Sequence, residues 1–276
     1  MMNPILSQAG PDQLIPSESF RTWDQDGAVK IRKCAEFDIA PMSLVSLIDV
    51  TCRKAGAAST ALKYKVNPTD PRWTNVTYED YHKNIQAVAR AFVKLGLEPL
   101  RSVAILGFNS PEWFLSEMGA IYAGGMVNCA PFLISTQLTY IEELLFQSVG
   151  LYPTNNLETN KFVMNDSRAN IFVCEDAAMA ELIWNCRDEL PHLKKIIVYP
   201  QTTLNLTDVI GWDQLMRLGN AYKNNGALKE RHKTMAVNQC AKLIYTSGTT
   251  GNPKGTILYW SPQNWFYQLC NIKALF

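Results

Sequence analysis

Residues 243–255 read Leu-Ile-Tyr-Thr-Ser-Gly-Thr-Thr-Gly-Asn-Pro-Lys-Gly: an apolar run stops at Tyr245 and gives way to three glycines, four hydroxyl side chains and one lysine. That mixture is phosphate-binding chemistry. Gly248, Gly251 and Gly255 allow the backbone to take positive φ and come close to an anion, so that successive N–H groups converge on phosphate oxygens. Thr246, Ser247, Thr249 and Thr250 add donors, and Lys254 adds a positive charge. The order differs from a Walker A loop, which needs Gly-Lys-Ser/Thr, whereas Lys254 is followed by Gly255. Spacing alone leaves two readings open, a phosphate cradle and an ordinary ligand-free turn.

The remaining reactive residue types are scattered. Cysteines stand at 34, 52, 129, 174, 186, 240 and 270, with no C-x-x-C pair, and there are three histidines. Neither a disulfide scaffold nor a zinc module is expected. Cys174 and Cys186 read as small buried hydrophobes. His82 and His232, among charged neighbours, read as surface side chains, His192 as structural, and Trp113 and Phe114 as core. No catalytic side chain and no metal ligand is assigned.

The elements that must hold such a loop follow from periodicity. Apolar positions in 42–52 fit a buried helix face, and 61–66 alternates like a strand. Residues 79–95 repeat at helical spacing, with Thr77 as N-cap and Gly96 just past the end. The all-apolar run 102–106 predicts a strand covered on both faces, and Ser110-Pro111 opens a further helix. The rhythm returns as strand 169–174, helix 178–190, strand 195–199 and strand 241–245. This alternation predicts an α/β fold with a mostly parallel sheet flanked by helices, and ligands in such folds gather at the carboxyl ends of the strands.

With 26 Lys plus Arg against 25 Asp plus Glu in 276 residues, the net charge is +1, which gives no support to a nucleic-acid partner. Gly, Asn, Glu and Pro interrupt the longest apolar stretch, 113–138, so no transmembrane span is expected. The start lacks a basic region followed by an apolar run, so no secretory signal is expected either. The sequons at Asn75, Asn165 and Asn205 then read as coincidence. Residues 1 to about 40 predict an irregular arm.

The run 245–255 resembles the signature of the AMP-forming adenylate ligases. Residues 73–81, Val103-Ala-Ile-Leu-Gly-Phe-Asn-Ser-Pro-Glu-Trp113 and Gly119-Ala-Ile-Tyr-Ala-Gly-Gly125 resemble the amino-terminal part of long-chain acyl-CoA synthetases. Gly150–Asn155 and Asp188–Lys194 narrow the resemblance to the bubblegum-type branch. It implies a partial AMP-binding domain over 41–276. It also implies a reaction in which a fatty carboxylate attacks the α-phosphate of ATP, releasing pyrophosphate, before the acyl group passes to coenzyme A. Thr246, Ser247, Gly248, Thr249, Thr250, Gly251 and Lys254 would hold the ATP phosphates with Mg²⁺. A cytoplasmic location is implied, with the cytosolic face of the endoplasmic reticulum and peripheral membrane association left open. Two other readings stand beside this one: a ligase for another carboxylic acid, and a catalytically dead protein that binds nucleotide or a partner.

Two departures accompany the resemblance. The family's Thr-Gly-Asp segment, hinge and lid domain with its catalytic lysine have no copy in these 276 residues, so a fragment inactive by itself is expected. Residues 126–147 stand where the family has only a few, as an atypical insertion. Its ends could be encoded as splice-site-like codons, so an unremoved intron and a genuine surface insertion are both consistent with it.

Overall fold

The computed structural model describes residues 10–22, 24, 26–30, 42–67, 69–129, 156–199, 202–222, 225–246 and 253–259. In chain order the elements are α1 (Leu44–Ala55), β1 (Thr60–Tyr64), β2 (Thr74–Thr77), α2 (Tyr78–Lys94), β3 (Ser102–Leu106), α3 (Pro111–Tyr122) and β4 (Met126–Cys129). There follow α4 (Leu157–Asp166), β5 (Ala169–Cys174), α5 (Ala177–Asn185), β6 (Lys195–Val198), β7 (Val209–Gly211), α6 (Trp212–Ala221), α7 (Gly226–Thr234), β8 (Cys240–Thr246) and β9 (Lys254–Tyr259).

Seven strands form one sheet in the order β7-β6-β5-β3-β4-β8-β9. The first six are parallel and β9 runs antiparallel at the edge. β1 and β2 form a separate antiparallel hairpin. The expected α/β architecture with a mostly parallel sheet is what the chain adopts. Strands β3 and β5 are buried at every position because helices cover both faces. On one face Val103, Ile105, Val127, Ile171, Val173 and Ile197 pack with α2, α3 and α6. On the other, Ala104, Leu106, Met126, Phe172, Cys174, Ile196 and Val198 pack with α4 and α5.

Local signals act as their chemistry dictates. Thr77 caps α2 by accepting from the Asp80 N–H, and Ser110 caps α3 by accepting from the Trp113 N–H. Gly96 takes φ 96°, the left-handed conformation that ends α2. The helix expected over 178–190 is shorter: α5 stops at Asn185 and a 3-10 turn, Arg187–Glu189, finishes the segment. Pro191 keeps the helix from reaching its expected end, since it disfavours α geometry at Leu190, whose side chain is buried.

The insertion placed at 126–147 is corrected at its start. Met126–Cys129 is β4, paired in parallel with β3 on one side and β8 on the other, so the proposed boundary falls inside the middle of the sheet. Met126, Val127 and Asn128 are fully buried there. Residues 130–147 lie outside the described residues.

The arm at 10–30 is irregular but pinned. Asn238, 1% exposed, accepts from the Ile15 N–H (3.0 Å) and donates to the Ile15 (2.7 Å) and Val29 (2.8 Å) carbonyls. Gln13 donates to the carbonyls of Lys233 and Met235, and Ala28 bridges to Gln239.

Candidate nucleotide site

The strand that leads into the phosphate-type motif ends where the topology rule places ligands. β8 runs from Cys240 to Thr246, and its carboxyl end lies on the same edge as those of β3, β4, β5 and β6. The chain returns as β9 with Thr246 opposite Lys254 and Tyr245 opposite Gly255. The motif's two ends are thereby paired across a hairpin, on the order of 5 Å apart. Thr246 and Lys254 are therefore placed together at the base of the turn. Ser247, Gly248, Thr249, Thr250 and Gly251 lie outside the described residues. The chain thus leaves the sheet after Thr246 and re-enters it, extended, at Lys254.

β8 is held from both faces. Tyr245, 1% exposed, donates its hydroxyl to Asp166 Oδ2 at 2.6 Å, tying the strand to the end of α4. Burial, followed by that hydrogen bond to a carboxylate, pushes the Tyr245 phenol well above its ordinary range, so it stays protonated and donating. On the opposite face Lys242 Nζ meets Glu117 Oε1 of α3 at 2.7 Å and lies 5.8 Å from the centre of the Trp113 ring. Both charged groups are largely buried, and such a pair fixes relative position more than it adds stability. Gly255 serves close approach: a Cβ there would lie 3.1 Å from two atoms of the Tyr245 ring.

Along the same edge, Gly107 follows β3 and Glu175 follows β5. Glu175 Oε2 accepts from the Phe108 N–H at 2.9 Å, and a Cβ on Gly107 would fall 2.2 Å from the Tyr199 hydroxyl. The carboxyl ends of β3, β5 and β6 are thus closely packed against one another.

Cys174 is buried in β5 and its thiol is pushed far up by burial, so it is no nucleophile. His192 is exposed, and its backbone carbonyl accepts from Asn170 Nδ2 at 3.0 Å. The surface reading of His82 and His232 is overturned. His82 Nε2 lies 2.8 Å from Asp49 Oδ1, and the Tyr122 hydroxyl donates to the same oxygen at 3.1 Å. His232 Nε2 lies 2.7 Å from the Tyr122 carbonyl oxygen, and burial lowers its imidazole pKa. Burial pushes the Asp49 carboxyl up, but the hydrogen bonds from His82 and Tyr122 outweigh it and hold the group below the usual range. These residues clamp α1, α2, α3 and α7 together. Their spread over the sequence hides the cluster from any motif search.

Comparison with known proteins decides the family. The profile described as "AMP-binding enzyme" matches residues 49–141 and 146–275, most of the chain. The chain belongs to the AMP-binding enzyme family. The match continues through 126–141, in agreement with β4 being part of the domain. Among its relatives, the long-chain-fatty-acid–CoA ligase ACSBG1 of Bos taurus is 34% identical over 244 residues, covering 88% of this chain and 30% of that protein. The ligase ACSBG2 of Xenopus laevis is 34% identical over 250 residues, with the same coverages. These are the bubblegum-type relatives that the motifs suggest. The chain spans 30% of their length.

Solved structures agree on the fold. The apo structure of MbtA from Mycobacterium smegmatis superposes with TM-score 0.59 at 16% identity, over 82% of this chain and 35% of that one. The anthranilate CoA ligase AuaEII, in complex with anthranoyl-AMP, superposes with TM-score 0.55 at 19% identity, over 83% and 36%. At such identities the likeness concerns architecture alone.

Proposed function

We propose that this chain is the nucleotide-holding part of a long-chain fatty acid–CoA ligase, which joins ATP, a fatty acid and coenzyme A to give acyl-CoA, AMP and pyrophosphate. The observation that carries the reading is the motif 245–255, turned back on itself at the carboxyl end of β8 within a family of AMP-binding enzymes. Thr246, Ser247, Gly248, Thr249, Thr250, Gly251 and Lys254 are assigned to the ATP phosphates. Their work is electrostatic: negative charge moves onto pyrophosphate as the carboxylate attacks, and donors fixed beforehand at that place stabilise the transition state without reorganising.

The donor set fits Mg²⁺ carried on phosphate oxygens. The hydroxyls of Thr246, Ser247, Thr249 and Thr250 are the hard oxygen donors in the motif that would face an ion carried on the phosphates. Bound there, the ion would neutralise charge on the phosphates. No helix among the described residues is long and apolar enough to cross a membrane. We place the protein in the cytoplasm with peripheral access to a membrane surface, where long-chain fatty acids partition.

The 276-residue chain by itself is proposed to bind ATP weakly and to make no acyl-CoA. Holding the leaving group does not orient the α-phosphate against the carboxylate, and an error of about 1 Å there costs on the order of 10²-fold. Titration calorimetry with ATP and Mg²⁺, beside pyrophosphate release with palmitate and coenzyme A, tests this. ATP binding abolished by Lys254→Ala, without turnover, is the expected result. Turnover equal to that of a full-length relative overturns the inactivity, and ATP binding indifferent to Lys254→Ala overturns the assignment of the loop.

A further inference from the structure

Val66 and Trp73, 79% and 59% exposed, are the two most exposed large apolar side chains among the described residues, and both stand in the loop that joins β1 to β2, just past the Tyr64–Thr74 pair. The register accounts for Trp73, which continues the outer face of Asn75, whereas Val66 lies past the end of β1. Leu62 pairs with Val76 and Tyr64 with Thr74, and Leu62, Tyr64 and Val76 are partly buried, which defines the inward face. Lys63 pairs with Asn75 on the other face, and Lys65 Nζ lies over the Trp73 ring at 5.4 Å from its centre, continuing that face. Arg72 is bound to Asp70 at 2.8 Å with its side chain 87% exposed. The loop end therefore gathers Lys63, Lys65 and Arg72 against a single Asp70, while Glu79 and Asp80 lie at the other end, beyond β2. The chain as a whole is only +1, so this basic cluster is local.

We propose that this hairpin docks on anionic phospholipid. A protein interface needs a contiguous apolar core of several hundred Å², more than one tryptophan and one valine supply. A shallow membrane contact needs an indole at headgroup depth, an apolar neighbour and basic groups close by to meet lipid phosphates; Trp73, Val66, Lys65 with its Nζ 5.4 Å from the ring centre, Lys63 and Arg72 supply these parts. The inference extends the membrane-side part of the proposed function and is independent of the nucleotide part. The hairpin lies outside the seven-stranded sheet, so substitutions on its outer face leave the fold of the site intact.

The test is co-sedimentation of the 276-residue protein with vesicles of phosphatidylcholine, with and without about 30 mol% phosphatidylserine, at about 0.1 M salt. Binding is expected on the phosphatidylserine vesicles only. The double variant Lys63→Glu/Lys65→Glu should lower it at least about tenfold and Trp73→Ala several-fold, with circular dichroism and ATP affinity unchanged. Equal binding to both vesicles, binding indifferent to these substitutions, or self-association lost in the variants in place of vesicle binding would each overturn the proposal. ATP titration of the same samples separates failure here from failure of the nucleotide site.

Discussion

Replacing Asn238 by alanine removes three hydrogen bonds at once from a side chain that is 1% exposed. At about 0.5–1.5 kcal/mol net for each bond, the loss is about 1.5–4.5 kcal/mol. For a domain of this size that corresponds to a urea midpoint lower by about 1 M. The Ile15 and Val29 backbone groups then find partners by releasing the arm into water, so limited proteolysis should cut within 10–30 far faster than in the wild type. Asn238→Asp separates hydrogen bonding from mere filling of space. It keeps the acceptor for the Ile15 N–H and the shape of the side chain, yet sets an oxygen against two carbonyls. Aspartate should therefore destabilise at least as much as alanine. An unchanged midpoint and cleavage rate in alanine, or full rescue by aspartate, would refute the accounting.

Acidification should destabilise the protein in two stages, read as thermal midpoint against pH. His232 has its folded pKa lowered, so below about 6.5 the unfolded chain takes up a proton before the folded one, and stability falls; His232→Gln should flatten this stage. Asp49 also has a lowered folded pKa, so its contribution is present above its ordinary 3.8 and is lost as pH falls through the lower folded value, a stage that Asp49→Asn should remove. Gly255→Ala places a methyl 3.1 Å from the Tyr245 ring and should cost about 1–3 kcal/mol in chemical denaturation while weakening ATP binding. Deleting Met126–Gln147 takes β4 from between β3 and β8 and should abolish soluble expression; cooperative unfolding of the deleted protein would instead show that Ser148–Tyr152, also mostly apolar, can occupy that slot.

The parts of the fold legible in the sequence are those written locally. β3 and β5 announce themselves as unbroken apolar runs, α2 and α3 by their caps, and the motif by its glycines. β4 does not. Four residues with a buried Asn128 carry no strand pattern of their own, and their place depends on neighbours far along the chain. α6 has no capping side chain at Gly211, and α7 is weakly amphipathic and rich in charge, so neither shows a boundary. Around the site, Tyr245 is legible as the strand's last apolar residue. Lys242 looks like a flaw in an apolar strand until Glu117 is brought to it from α3. The Asp49–His82–Tyr122–His232 clamp is assembled from four helices, and no spacing rule reaches across them.

The placing of β8 beside β4 sets an order of assembly. Val127 pairs with Lys242, so the middle of the sheet is completed by a segment that leaves the ribosome roughly a hundred residues after its partner. Until then β4 offers an open edge, and the newborn chain needs protection from intermolecular pairing at that edge. The hairpin that carries the glycine-rich turn cannot be seated before this late event. On the proposed assignment ATP would meet its loop only on molecules whose sheet has already closed, and nucleotide added during synthesis should stabilise finished chains without hastening their completion.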